Sequence, residues 1–321
     1  MSENPHLRSL AADDVPAAMA LVRQVGWNQT AADWMRFLRA QPDGCFAASA
    51  GDQLVGTVTT IIYELGDARA PDLAEAPPHR STLASIAPGI GAVIRCRPFT
   101  RSRLAWIVML IVDTAHRGRG LGPRLLERAV DYLDGQRVSC VKLDATPEGQ
   151  PLYEKHGFVV EQAIERWELR RASPCSATTE RGHAAPAFED IVGLDRQLFG
   201  ADRGELLLSL AVEAPDLTIV LRQGRDVIGY ACGRRGTRAD HLGPWMARDE
   251  AAGEQVLQTF LERSDRPLVY VDCLADNAWS RRLAASKGFR LSRPLTRMYR
   301  GANVAPGDTE LLGAIVGPEF G

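Results

Sequence analysis

A chain of 321 residues is about twice the length of an ordinary single domain, which excludes one small module. Apolar residues make up 45% and charged residues 24%, as in a globular chain with a large core and unlike a disordered one. With 38 basic residues against 40 acidic ones the formal charge is −2, so the chain as a whole has no electrostatic pull toward nucleic acid or a membrane surface.

The longest uncharged apolar runs, 104–112 and 86–94, fall short of the roughly 20 residues a membrane helix needs. Acids appear in the opening residues before any apolar stretch, so no secretory signal is read and the expected location is the cytoplasm. Six cysteines (45, 96, 140, 175, 232 and 273) are scattered without a C-x-x-C pair, as expected of buried thiols in a reducing compartment with no metal site.

In chain order, 13–26 and 30–40 read as helices with Asp14 and Thr30 as caps. Residues 45–50 and 54–63 read as a hairpin across Gly51-Asp52-Gln53, and 104–112 as a fully buried strand. Between them, 66–103 is Pro/Gly-punctuated and aperiodic, an insertion that serves as a surface loop or a lid. An amphipathic helix over 122–135 puts Leu125, Leu126, Ala129 and Leu133 on one face. A strand over 140–145, a short helix closed by Gly157 and closing strands to 170 complete the first half.

The chain repeats itself. Gly157-Phe158 is followed by Arg166, and Gly288-Phe289 by Arg297, at a spacing of 131. Gly56 and Gly229 sit in similar strands at a spacing of 173, the excess of 42 matching the insertion in the first copy. The expected fold is α/β, a mixed sheet flanked by helices in two tandem copies. Their bounds are 1–170 and 188–301, with a small, polar, proline-bearing linker over 171–187 and a tail over 302–321 apolar enough to dock.

One stretch carries chemistry: IVDTAHRGRGLGPRLLERAV. A buried strand ends at Val112, and glycines at 118, 120 and 122 bare the backbone before a helix, so several N–H groups converge on an anion at a helix N-terminus. Arg117 and Arg119 add positive charge. The spacing is not that of a dinucleotide-binding loop, which needs G-x-G-x-x-G and an acidic partner on the next strand.

The R-G-R-G-L-G run, with Arg117, Gly120 and Gly122 as fixed positions between strand and helix, resembles the Gln/Arg-x-x-Gly-x-Gly/Ala signature of the Gcn5-related N-acetyltransferases (GNAT). The resemblance covers the first half and implies acetyl-CoA as co-substrate. Backbone around Ile111, Val112 and Asp113 would pair with the pantetheine arm, and the loop Arg117, Gly118, Arg119, Gly120, Leu121 and Gly122 would hold the pyrophosphate. It also implies Tyr153, in the short helix before the last strands, as the acid that protonates the CoA thiolate. Asp144 and Thr146 are expected at the same strand end.

Several relatives carry a carboxylate base on the central strand, and residues 105–112 have none. Glu64 and Asp113 are candidates for the proton acceptor, beside a water chain or a residue of the other copy, while His116 reads as a solvent-facing loop residue. In the second copy the same spacing lays Arg248–Gly253 on the loop and Ala284 on Tyr153. Carboxylates at 249 and 250 repel a pyrophosphate, so that copy reads as degenerate, adding stability and acceptor-pocket walls. The expected activity is direct acetyl transfer to a primary amine of a small molecule, by a monomer or homodimer with no nucleic-acid or membrane partner. An acyl-CoA-binding pseudoenzyme that senses without turnover is the alternative.

Overall fold

The computed structural model describes residues 5–65, 103–171 and 188–321. Apart from their edge residues, the expected insertion and linker lie outside the described residues. The first half runs β1 (His6–Ser9), α1 (Val15–Gln24), α2 (Ala31–Ala40), β2 (Phe46–Ala50), β3 (Gln53–Leu65), β4 (Arg103–Val112), α3 (Leu121–Gly135), β5 (Cys140–Ala145), α4 (Gln150–Lys155) and β6 (Val159–Arg170). The second half opens with α5 (Phe188–Phe199), β7 (Ala201–Asp202), α6 (Gly204–Glu213), β8 (Thr218–Gln223), β9 (Asp226–Cys232), β10 (Arg234–Arg235), β11 (Asp240–Leu242) and β12 (Trp245–Ala247). It closes with α7 (Glu250–Arg263), β13 (Leu268–Leu274), α8 (Ala278–Ser286), β14 (Arg290–Gly301) and β15 (Leu312–Ala314).

Local chemistry sets many of these ends. Thr30 caps α2 as expected: its hydroxyl accepts from the Asp33 amide while the Asp33 carboxylate accepts from the Thr30 amide at 2.8 Å. Asp14 precedes α1, but its carboxylate turns back to Arg8 (2.7 Å) and the Ala11 amide (2.8 Å) instead of capping the helix. The leucine face of α3 is buried against the sheet. The spacing of 131 is written into the backbone: Phe158 donates to the Tyr153 carbonyl and Phe289 to that of Ala284, both at 3.1 Å.

The described strands form one sheet, in the order β1-β2-β3-β4-β5-β14-β6-β13-β15-β12-β9-β8, with β7, β10 and β11 off that path. Strands of the two copies interleave at its centre. β14 of the second half lies antiparallel between β5 and β6 of the first, and β6 runs antiparallel to β13 of the second. Alternation along a strand fixes which face is buried and says nothing about which neighbour it pairs with. A shared core containing Trp34, Phe37, Trp106, Phe199 and Leu207 lies across the halves, beside one private core for each.

The repeated arginines lock this exchange. Arg166 on β6 reaches Asp272 on β13 through two bonds of 2.7 and 2.6 Å, and Arg297 on β14 reaches Asp144 on β5 through two of 2.8 Å. Each arginine stands directly opposite its aspartate in register and in the other half of the chain. All four side chains are buried. Burial alone raises the carboxyl of Asp272, yet Arg166 and the nearby His241 overcome it and hold that group well below the usual carboxylate range.

The tail docks on both halves. β15 inserts between β12 and β13, and further on Phe320 stacks on Phe37 with ring centroids 5.0 Å apart. Cys45, Cys140, Cys232 and Cys273 are buried free thiols, and burial pushes that of Cys45 up to about 12. Cys96 and Cys175 lie outside the described residues. Among the described residues no helix is long and apolar enough to cross a membrane, and no group of ligands is placed to hold a metal.

Removing one partner of a crossed pair leaves a buried charge alone. Arg297→Ala is expected to cost about 3–5 kcal/mol in urea unfolding, whereas Asp144→Leu combined with Arg297→Met is expected to recover most of that loss.

Candidate functional site

Two strands that part company make the site. β4 and β5 pair in parallel only from Leu104–Cys140 to Trp106–Lys142, after which a wedge opens between them. On the other side of β4 the register skips from Thr59–Val108 to Thr57–Ile111, and Met109 takes φ +53°. Such a conformation is unusual for a side chain with a Cβ. The Thr57 hydroxyl holds it, donating to the Met109 carbonyl at 2.8 Å. This bulge, missed in the sequence, re-aims the backbone at the mouth of the wedge.

The glycine loop follows. Gly118 and Gly120 adopt φ of +72° and +76°, with open space where a Cβ would point. Gly120 is the N-cap of α3, and its run from Arg117 is exposed, while Leu121 is buried and anchors the helix start. The amides of Gly118, Arg119 and Gly120 carry no backbone hydrogen bond, and those of Leu121 and Gly122 belong to the unpaired first turn of α3. Around Gly122 the nearest atoms belong to Leu152 of α4 and Val112 of β4, so loop, strand end and α4 meet. Arg117 Nε donates to the Val112 carbonyl at 3.0 Å, which folds that cation against the strand end.

Asp113 braces the loop. Its carboxylate accepts from the Ala115 amide (2.9 Å) and Gln24 (3.2 Å) and sits 3.1 Å from His116 Nδ1. The hydrogen bond from His116, helped by the Ala115 amide and Gln24, holds the carboxyl below its usual range. A carboxylate so engaged is poorly suited to take a proton. His116, expected to face solvent, is tied into that brace.

Behind the loop, the wedge deepens into a cleft of about 500 Å³, counting space open to solvent. Ile107–Leu110 of β4 line one wall, and Leu143, Asp144, Thr146 and Tyr153 another. Tyr153 packs edge-on against Phe158, with centroids 6.1 Å apart, and burial pushes its phenol up to about 12. Both Asp144 oxygens are taken by Arg297. Six further lining residues escaped the sequence reading: Trp27, Gln29, Arg293, Leu295, Pro318 and Glu319. They lie far from the loop in sequence, and Arg293, Leu295 and Glu319 reach the cleft only because β14 and the tail cross over.

Glu64 does not join this assembly. It pairs in register with Arg103 and bonds to it at 3.0 Å, at the opposite end of β3 from the bulge. Five strand steps separate it from Thr59, about 16 Å at the usual rise. It lines a different cavity, with Arg36 and Asp202.

The second copy repeats the wedge and closes it. β11 pairs in parallel with β13 as β4 does with β5, and β15 then fills the gap, with Ala314 opposite both Trp245 and Cys273. The Asp249 carboxylate caps α7 by accepting from the Ala252 amide at 2.9 Å, and Glu250 pairs with Arg282. Ala284, in the place of Tyr153, is buried, and Trp245 and Trp279 pack on each other at 4.9 Å as core.

Comparison with known proteins places these features in a wider group. A model of the acetyltransferase (GNAT) family matches residues 15–158, and one of an acetyltransferase (GNAT) domain matches 191–313, so the two span most of the chain. The uncharacterized N-acetyltransferase YitH of Bacillus subtilis is 26% identical over 182 residues, which is 56% of this chain and 64% of that protein. Glucosamine 6-phosphate N-acetyltransferase 1 of Oryza sativa is 41% identical over 71 residues, covering 22% and 43%. The chain therefore spans less than two thirds of either relative. A candidate acetyltransferase from Pyrococcus horikoshii superposes with a TM-score of 0.72 at 19% identity, covering 100% of this chain and 97% of its own. A GCN5-related N-acetyltransferase from Sphaerobacter thermophilus gives 0.58 at 14% identity, covering 94% and 96%. At such identities these structures bear on the fold alone.

Substituting the loop tests its role directly. Gly120→Ala is expected to cost about 1 kcal/mol from its left-handed backbone. Gly120→Glu, which adds a carboxylate where Asp249 stands in the second copy, is expected to weaken CoA binding by about tenfold or more in calorimetry.

Proposed function

The chain belongs to the Gcn5-related N-acetyltransferase family, and from that premise we propose that its first half transfers an acetyl group from acetyl-CoA directly to a primary amine of a small molecule. The observation that carries this reading is the contrast between the copies. The first keeps an open wedge and exposed glycines whose amides have no backbone partner among the described residues at a helix start, while the second fills its wedge with β15 and its helix start with Asp249. A pyrophosphate fits the first arrangement and is repelled by the second.

Acetyl-CoA lies with its pyrophosphate on the amides of Gly118–Gly122 and its pantetheine arm along the β4 edge at Ile111–Asp113. The thioester then reaches the bulge at Met109, across the cleft from Tyr153. The amine nitrogen attacks the thioester carbonyl carbon, the C–N bond forms and the C–S bond breaks. Tyr153 donates its phenolic proton to the departing thiolate, and the proton shed by the attacking nitrogen balances the one given to sulfur through solvent. A phenol raised to about 12 stays protonated across the neutral and mildly alkaline range, as a proton donor must. Positioning and amide dipoles supply the remaining catalysis, with no covalent enzyme intermediate.

Tyr153→Phe is expected to lower kcat by about 10²-fold or more while leaving the KM for acetyl-CoA within about twofold, read as thiol release. The wild-type kcat is expected to show no alkaline fall through pH 10 from this group, because the acid form persists up to about 12. CoA binding without turnover on any amine would instead support the sensor reading.

A further inference from the structure

Three side chains in the cleft leave buried polar atoms without a partner: Gln29 Oε1, Arg293 Nε and Glu319 Oε2. Buried polar groups are nearly always satisfied, so three orphans lining one cleft call for a ligand. Gln29 and Glu319 are 5% and 2% exposed. Glu319 spends its other oxygen on Arg234, which also holds Asp33 at 3.2 Å. Among the described residues Arg293 makes no ion pair and no side-chain hydrogen bond, whereas the neighbouring cations Arg166 and Arg234 are both paired. Burial and the charge of Arg166 work against its ionisation and outweigh the support of the Asp272 and Glu319 carboxylates.

Its placement is specific. The β14 register against β6 skips from Leu291–Trp167 to Arg293–Arg166, leaving Ser292 unpaired, and Arg293 lines the cleft with Leu295 two residues on. A bulge of this kind re-aims a side chain. The pyrophosphate cradle is elsewhere, at the start of α3. A guanidinium that lines the cleft with no hydrogen-bonded counter-ion among the described residues, and away from that cradle, has no work to do for the acyl donor.

We propose that Arg293 recognises an anionic group on the acceptor, a carboxylate or a phosphate, while Glu319 Oε2 and Gln29 Oε1 receive the N–H groups of its amine. The acceptor is then a small molecule carrying an amine and an anion together. This rests on the acetyl-transfer reading and adds to it the charge of the substrate. Glu319 belongs to the tail and Arg293 to β14, so the degenerate half and the tail supply specificity to the site of the first.

The test uses the full chain with acetyl-CoA and matched acceptors: amino acids against their amides, and glucosamine 6-phosphate against glucosamine. The expected result is a kcat/KM at least about tenfold higher for the anionic member of one pair, which also tells carboxylate from phosphate. Arg293→Met is expected to abolish that preference and Arg293→Lys to restore part of it, with the KM for acetyl-CoA unchanged. Equal or better use of the uncharged members, or an unaltered preference in Arg293→Met, overturns the proposal.

Should no acceptor in the panel react, thermal unfolding in saturating CoA decides. Inorganic phosphate is then expected to raise the Tm of the wild type and not of Arg293→Met, and the variant without phosphate is expected to be at least as stable as the wild type. A lower Tm for the variant, or an equal response to phosphate, assigns Arg293 to the fold and overturns the proposal. Failure to bind CoA at all overturns the acetyl-transfer reading itself, which separates the two outcomes.

Discussion

Two buried arginine–aspartate pairs, crossed between the halves of the chain, hold the centre of this molecule. Arg166 reaches forward to Asp272, and Arg297 reaches back to Asp144, each through two short hydrogen bonds. Taking such ions out of water is expensive, so the pairs contribute little net stability against an apolar alternative. Their effect is on register. A one-residue slip of either β6 or β14 would strand two charges in the core, so the exchange of strands has one permitted alignment. That alignment seats β14 against β5 and thereby puts Arg293 and Leu295 into the cleft.

The copies share a scaffold and differ in what fills it. Both split a parallel strand pair and both start a helix beside the split. In the first the helix start carries exposed glycines without backbone partners among the described residues; in the second an aspartate already satisfies the helix, and the wedge holds a strand of the chain itself. An empty wedge exposes unpaired strand edges, a state tolerable where a ligand pairs with them. β15 supplies that pairing permanently in the second copy. Beyond β15 the tail runs on to the first copy, where Phe320 seats on Phe37 and Glu319 lines the cleft.

Much of the local structure around the glycine loop was legible in the sequence. Left-handed glycines at 118 and 120, the helix at 121 and the short helix bearing Tyr153 all rest on local rules of backbone freedom and capping. The Met109 bulge left no such mark, because a β-rich run such as residues 104–112 reads the same with or without an extra residue against its partner. Glu64 was misplaced for a related reason. Its nearness in sequence to the insertion and the central strand said nothing of which end of β3 faces the wedge.

Sequence alone determined the family, the duplication, the loss of the loop in the second copy and the repeated arginines, since each is a matter of residue type at short spacing. Tertiary structure decided what those arginines bind, which half donates each strand to the centre, and which side chains line the cleft. Trp27, Gln29, Arg293 and Glu319 stand up to 292 positions apart and share one cleft. Short-range preferences carry no information over such separations; only the pairing of strands and the burial of charge bring those residues together.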